Sequence, residues 1–248
     1  MTSVLKGEGI TKELGRGAAM VRALKGVSLT LEPGELTLLM GPSGSGKTTL
    51  LSILGCILTP TQGTLEVAGH STAGLSPEAL AALRRRHVGF IFQSYNLFPT
   101  LTAEENVRLA LDVRGERGSD ATVRAQRALQ MVGLGHRLRS YPGNMSGGEQ
   151  QRVAVARALA GAPSVILADE PTAALDSENG QAVMSLLAEI AKDKSRAVLA
   201  VTHDPRTVPY ADRILRIEDG LIVGEERSPG DVDTVHKLSR EKKRKAHA

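Results

Sequence analysis

Aromatic side chains are almost missing from this chain of 248 residues: it has no Trp, three Phe and three Tyr, 2% in all. Hydrophobic residues still make up 41% of it, so the core must be mostly aliphatic. The length suits one compact domain, or one domain with a subdomain. There is a single cysteine, Cys56. That excludes an internal disulfide and suits a reducing compartment; within its apolar run, Cys56 reads as a small core residue. No apolar stretch approaches the ~18 residues that a membrane-spanning helix needs. The opening "MTSVLKGEGI" lacks the basic-then-apolar layout of a signal peptide. The expectation is a cytoplasmic protein that reaches a membrane only through a partner.

Neither sign of charge prevails on the body. Lys and Arg number 31 against 27 Asp and Glu, a net of +4. The final "KLSREKKRKAHA" carries six basic residues and one acidic, a net of +5, which leaves −1 for everything before it. The tail (231–248) reads as a basic, disordered end with some attraction for anionic lipid headgroups. A nucleic-acid partner is not expected, since the body has no basic stripe with interleaved aromatics.

Strand and helix signals alternate along the chain. "VSLTL" (27–31) alternates like a half-buried strand, and "LTLLM" (36–40) is a continuous apolar run, as in a strand buried on both faces. A glycine-rich loop leads into a helix predicted from Lys47 to about Ile57. Ser76 and Pro77 mark another helix start. "HVGFIFQ" (87–93) predicts a strand ending on Gln93, with Phe90 and Phe92 on one face. Thr102 to Gly133 reads as helical with a break near "RGERGSD", and Gly147–Gly148 opens a further helix. "SVILADE" (164–170) and "RAVLAVTHD" (196–204) are buried strands; "RILRIEDGLIVGE" is a hairpin turning at Asp219–Gly220. This order specifies an α/β domain with a mainly parallel sheet and a helical insertion.

Two motifs carry chemistry. "GPSGSGKTT", from Gly41 and Pro42 through Ser43, Gly44, Ser45, Gly46, Lys47 and Thr48 to Thr49, follows a buried strand and opens a helix. Its backbone amides and the helix N-terminus suit phosphates, Lys47 can reach the outer phosphates, and the Thr48 hydroxyl can ligate Mg²⁺. The loop alone does not separate ATPases, GTPases and kinases. Asp169 and Glu170 end the apolar strand "SVILADEP"; Asp169 can hold Mg²⁺ through water, and Glu170 can orient or deprotonate an attacking water.

"MSGGEQQR" (145–152) decides between these classes. Locally, Ser146 and Glu149 fit a capping box, and a capped helix start beside two glycines is also an anion site. Together with the phosphate loop, Gln93, the Asp-Glu pair, "AALD" (173–176) and "THD" (202–204), the chain resembles the ATP-binding-cassette ATPases from about Leu5 to Glu225. Met145 and Glu149 stand where the signature of that family usually has Leu and Gln. The resemblance implies a P-loop NTPase core with an N-terminal antiparallel β-subdomain and an inserted helical subdomain at about 94–160, all within an ATPase domain at 1–230. It also implies a head-to-tail homodimer with ATP between the phosphate loop of one subunit and Ser146, Gly147, Gly148 and Glu149 of the other. In that scheme Glu170 is the general base, His203 a switch residue, and Gln93 a sensor of Mg²⁺ and water; Asp176 couples the two sites. The family's adenine-stacking aromatic is absent, and Leu14, with Val21, stands in its place.

"MGPSGSGKTTLL", "GFIFQSYNLFPTLTAEENV" and "DEPTAALDS" are most similar to the macrolide-exporter and lipoprotein-releasing (MacB-like and LolD-like) subgroup. This implies ATP hydrolysis that powers a separate membrane permease in export or mechanical extraction of lipid, lipoprotein or peptide. The alternatives are an importer ATPase and a cell-division or soluble, non-transport cassette. The aromatic-rich run leaves two readings open. Tyr95, Leu97, Phe98 and Leu101 either form a docking surface for the permease or pack against the helical insertion.

Overall fold

The computed structural model describes residues 3–15 and 20–227; the basic tail lies outside them. Two sheets organise the chain. The first is antiparallel, in the order β2-β1-β4-β5, and uses β1 (Leu5–Leu14), β2 (Val21–Leu31), β4 (Gln62–Val67) and β5 (His70–Ser71). The second has the order β10-β9-β3-β8-β7-β6. It comprises β3 (Leu36–Met40), β6 (Val88–Ile91), β7 (Val165–Asp169), β8 (Ala197–Thr202), β9 (Arg213–Glu218) and β10 (Leu221–Arg227). All its pairings are parallel except β9–β10, the hairpin turning at Asp219–Gly220.

The apolar runs of β3, β7 and β8 divide by parity between two cores. Leu36, Leu38, Ile166, Ala168, Val198 and Ala200 face one side, where α3 (Ala103–Val113), α4 (Ser119–Met131), α5 (Gly147–Leu159) and α6 (Ser177–Ala191) pack. Leu39, Val165, Leu167, Leu199 and Val201 face the other, filled by α1 (Lys47–Leu54) and the first sheet. A strand sends successive side chains to opposite faces, so a sheet covered on both faces needs uninterrupted apolar sequence. The remaining helix, α2 (Pro77–His87), starts as its sequence predicts: the Ser76 hydroxyl accepts the Ala79 amide proton at 3.3 Å.

Two predicted boundaries move. The strand expected to reach Gln93 stops at Ile91, because the Phe92 carbonyl accepts the Tyr95 amide in a turn. Phe92 therefore leaves the strand, and its ring stacks on Phe90 with centroids 4.6 Å apart. Helix α1 ends at Leu54 rather than near Ile57, since Cys56 turns into the left-handed region (φ 54°). Cys56 itself is buried, and burial pushes its thiol up to about 11, the state of a core side chain.

Candidate functional site

Strand order builds the site. Four adjacent parallel strands, β3-β8-β7-β6, release their chains at the same sheet edge. The phosphate loop follows β3, His203 follows β8, Asp169 and Glu170 close β7, and Gln93 comes two residues after β6. Open parallel sheets bind ligands outside the carboxyl ends of their strands.

The phosphate loop is held through backbone contacts with its neighbours. The Gly220 amide donates to the Ser45 carbonyl at 3.0 Å, and Gly46 approaches β2 so closely that a Cβ there would lie 2.7 Å from the Ala23 carbonyl oxygen. With φ at +100°, Gly46 also uses a conformation that other residues rarely adopt. Helix α1 then begins with no side-chain cap and no acid in its first turn. Its leading amides stay free for an anion. The Lys47 ammonium is buried beside them and donates to the Gly41 and Pro42 carbonyls at 2.7 Å each. The Ser45 hydroxyl is buried without a partner among the described residues. Free amides, a cation and an orphaned hydroxyl in one loop fit a phosphate chain.

Beside the loop, Asp169 is half-buried. Burial raises its pKa, the Glu170 charge raises it further, and Lys47 opposes both. Two crowded carboxylates fit a cation. Among the described residues no group of three or more His, Cys, Asp or Glu side chains is arranged to hold a metal ion, so a metal here would need hydroxyl, phosphate and water oxygens. That suits Mg²⁺, which keeps waters and takes few protein ligands. Glu170 occupies a left-handed conformation (φ 46°), rare for a non-glycine residue. Its amide donates to the Val201 carbonyl at 2.9 Å, and its carboxylate meets His203 Nδ1 at 2.8 Å. Neighbouring strands thus bring together two residues 33 positions apart.

The signature segment lies elsewhere. Helix α5 starts with a complete capping box: the Ser146 hydroxyl accepts the Glu149 amide at 3.2 Å, and the Glu149 carboxylate accepts the Ser146 amide at 2.9 Å. No hydrogen bond joins 146–149 to 41–49 within the chain. Instead this helix start is tied to the segment after β7, from Pro171 to the first turn of α6. Gly148 abuts Asn179, leaving no room for a side chain. Asn179 is fixed by Asp176, whose carboxylate accepts its backbone and side-chain amides at 2.9 and 2.7 Å while capping α6. Buried Gln151 donates to the Pro171 carbonyl at 2.8 Å. Asn179 and Gln151 were not singled out in the sequence, where both read as ordinary polar residues of a helix.

Of the aromatic-rich run, Gln93 is exposed, Leu97 packs on the helix-side core, and Phe98 is 51% exposed. Buried Asn106 fastens the loop: it accepts the Phe98 amide at 2.8 Å and donates to the carbonyls of Phe98, Leu101 and Thr102. Phe98 borders an apolar groove of about 400 Å³ together with Val88, Phe90, Leu109, Val113 and Arg157. Across the molecule, Leu14 and Val21 face each other as a cross-strand pair. They are 41% and 63% exposed, and Val21 lies on the strand that reaches Gly46 through Ala23.

This fold and this loop define a P-loop nucleotide-binding ATPase. The ABC transporter family model matches residues 24–173, and the chain belongs to that family as an ATP-binding cassette. It is 46% identical over 236 residues to the macrolide export ATP-binding/permease protein MacB of Shigella flexneri, covering 95% of this chain and 36% of that protein. It therefore spans about a third of the length of such relatives. Among solved structures it is similar to the ATP-binding cassette MJ0796 in a dimeric, post-hydrolysis state bound to ADP and Pi (41% identity, TM-score 0.82, 92% of this chain and all of that one). It is also similar to cbiO1 of Clostridium perfringens, part of the transporter complex cbiONQ (28% identity, TM-score 0.82, 97% of this chain and 94% of that one). The expected P-loop core, antiparallel sheet and helices are all present. No helix among the described residues is long and apolar enough to cross a membrane.

Proposed function

We propose that this cassette hydrolyses ATP as a head-to-tail homodimer and drives a membrane permease in export or extraction of lipid, lipoprotein or peptide. The observation that carries the proposal is the separation of its two glycine-rich helix starts. The phosphate loop and the Ser146–Glu149 segment have no hydrogen bond to each other in one chain, so a second subunit completes the site. The dimeric state of the MJ0796 cassette and the export function named for MacB support this reading.

In the proposal, the amides of 41–49 and Lys47 bind the ATP phosphates, and Leu14 and Val21 lie under the adenine. Thr48, Gln93 and Asp169 would hold Mg²⁺, which when bound neutralises phosphate charge. Glu170, restrained by His203, takes the proton of the attacking water. Asp176 couples the two sites through Asn179 and Gly148. Tyr95, Leu97 and Phe98 mark the permease side; of these Phe98, exposed beside the apolar groove, supports docking best, while Leu97 serves packing. The cassette domain would end near 230, with the helical subdomain at 94–160, and the protein would sit on the inner face of the membrane.

The test is Glu170→Gln with ATP and Mg²⁺, followed by size-exclusion chromatography with light scattering. A stable, ATP-dependent dimer is expected, lost on adding Ser146→Arg. A variant that stays monomeric with ATP bound and hydrolyses it at the wild-type rate would remove both the dimer and the base.

A further inference from the structure

Arg157 has no part in the reading so far, yet its setting is unusual. It lies in the last turn of α5, where a cation is ordinarily favourable toward the helix's own carbonyls. Its guanidinium is turned elsewhere. Nη2 donates to the Tyr95 carbonyl at 2.7 Å, and Nη1 donates to the Asn96 carbonyl. Burial lowers its pKa, and no carboxylate among the described residues pairs with it. A half-buried charge spent on two neutral carbonyls calls for a reason.

Those two carbonyls supply one. Tyr95 and Asn96 are consecutive non-glycine residues in the left-handed region, with φ of 58° and 50°. They follow Gln93 by two and three positions. A backbone so strained persists only where its surroundings over-determine it, and such sites cluster at functional loops. The Arg157 fork is one such restraint. The Tyr95 ring is another: its hydroxyl donates to the Ala174 carbonyl at 3.5 Å and lies 3.0 Å from where a Cβ on Gly147 would stand. The turn after Gln93 is thus clamped to both ends of the signature helix, at Gly147 and at Arg157.

We infer that Arg157 is a positioning residue for Gln93, holding the left-handed Tyr95–Asn96 turn so that Gln93 leaves β6 in its working geometry. The inference rests on the proposed role of Gln93 at the metal and the attacking water. Lysine in its place keeps the charge but replaces the rigid planar fork with a single ammonium on a flexible stem, so it cannot hold both carbonyls in the same fixed geometry. Glycine at position 96 adopts the left-handed conformation freely and needs less restraint.

The test uses the full chain with Arg157→Lys, Asn96→Gly and the double variant. Measured are amide exchange across 93–98, ATP affinity, kcat, the Mg²⁺ concentration for half-maximal turnover, and Tm. Arg157→Lys should raise exchange in that segment and lower kcat about tenfold, with more Mg²⁺ required and ATP affinity unchanged. Adding Asn96→Gly should recover most of the rate, which a merely structural loss would not show. Unchanged exchange in Arg157→Lys, or a loss of kcat that tracks Tm and resists Asn96→Gly, overturns the inference. Gln93→Ala separates the two readings. Full turnover in that variant removes Gln93 from the reaction; lost turnover there with normal turnover in Arg157→Lys removes Arg157 alone.

Discussion

Helices α1 and α5 both open on glycines, and their first turns are electrostatic opposites. Helix α1 has no side-chain cap, no acid in its first turn and a buried lysine beside it. Helix α5 has a full capping box, with Glu149 in its first turn and the Arg137 guanidinium 2.9 Å from that carboxylate. Uncapped amides are an unpaid requirement that a phosphate chain can meet. The capped start satisfies its Ser146 and Glu149 amides within its own subunit. In the proposed dimer this difference divides the tasks: α1 would bind the anion, while α5 would present its capped start to an anion bound on another subunit.

Two substitutions test the strong side of this contrast. Glu170→Gln removes the proposed base while leaving every phosphate contact in place. Turnover should fall by about 10²–10⁴-fold with ATP affinity retained, measured by phosphate release and nucleotide titration. Next in size is Lys47→Ala. The ammonium already donates to two loop carbonyls, so its loss removes both a loop restraint and a phosphate contact. ATP affinity should weaken by about 100-fold, the worth of a charge-assisted hydrogen bond. The same assay on Ser146→Ala should show near-normal ATP affinity in the monomer. Equal losses in the two variants would end the distinction between the helices.

The contrast was half visible in the sequence. The phosphate loop, the Asp169–Glu170 pair and the capping box each lie within a short run of consecutive residues, so each declares itself through local spacing. The parallel strands were legible because burial on both faces forces unbroken apolar runs such as "LTLLM" and "SVILADE". Strand β1 was not, because "LKGEGITKEL" mixes charges and glycines into a strand with register shifts between Gly7 and Ile10. Contacts across long separations were equally hidden. Nothing local to Asn106, Gln151, Arg157 or Asn179 distinguishes it from a solvated polar residue. Their roles exist only once helix, loop and strand ends are brought together. Position 93 shows both limits: its residue was readable, but the turn that carries it was not.

A smaller effect is expected at the base end of the α1 site. In the proposed site the phosphates would meet a dedicated loop, whereas among the described residues the adenine would meet Leu14 and Val21, an exposed aliphatic pair. Such a surface offers no hydrogen bonds with which to distinguish purines, and apolar contact alone discriminates weakly. GTP should be hydrolysed within about tenfold of the ATP rate at equal concentration. A larger preference for ATP would place an unrecognised polar contact at the base.

The smallest effect concerns the cap that makes α5 self-sufficient. The Ser146 amide, and then Arg137, hold the Glu149 carboxyl below its ordinary value of 4.5. A carboxylate whose folded pKa is depressed stabilises the fold above its unfolded pKa and loses that contribution as pH falls through the folded value. Glu149→Ala should therefore lower Tm by about 2–4 °C at pH 7, as expected for about 1 kcal/mol of capping in a domain of this size. The gap between variant and wild type should close as pH drops below 4.5. A gap that stays constant with pH would mean that Glu149 acts through packing rather than charge. In that case the first turn of α5 would owe little to its carboxylate, and its electrostatic contrast with α1 would be correspondingly weaker.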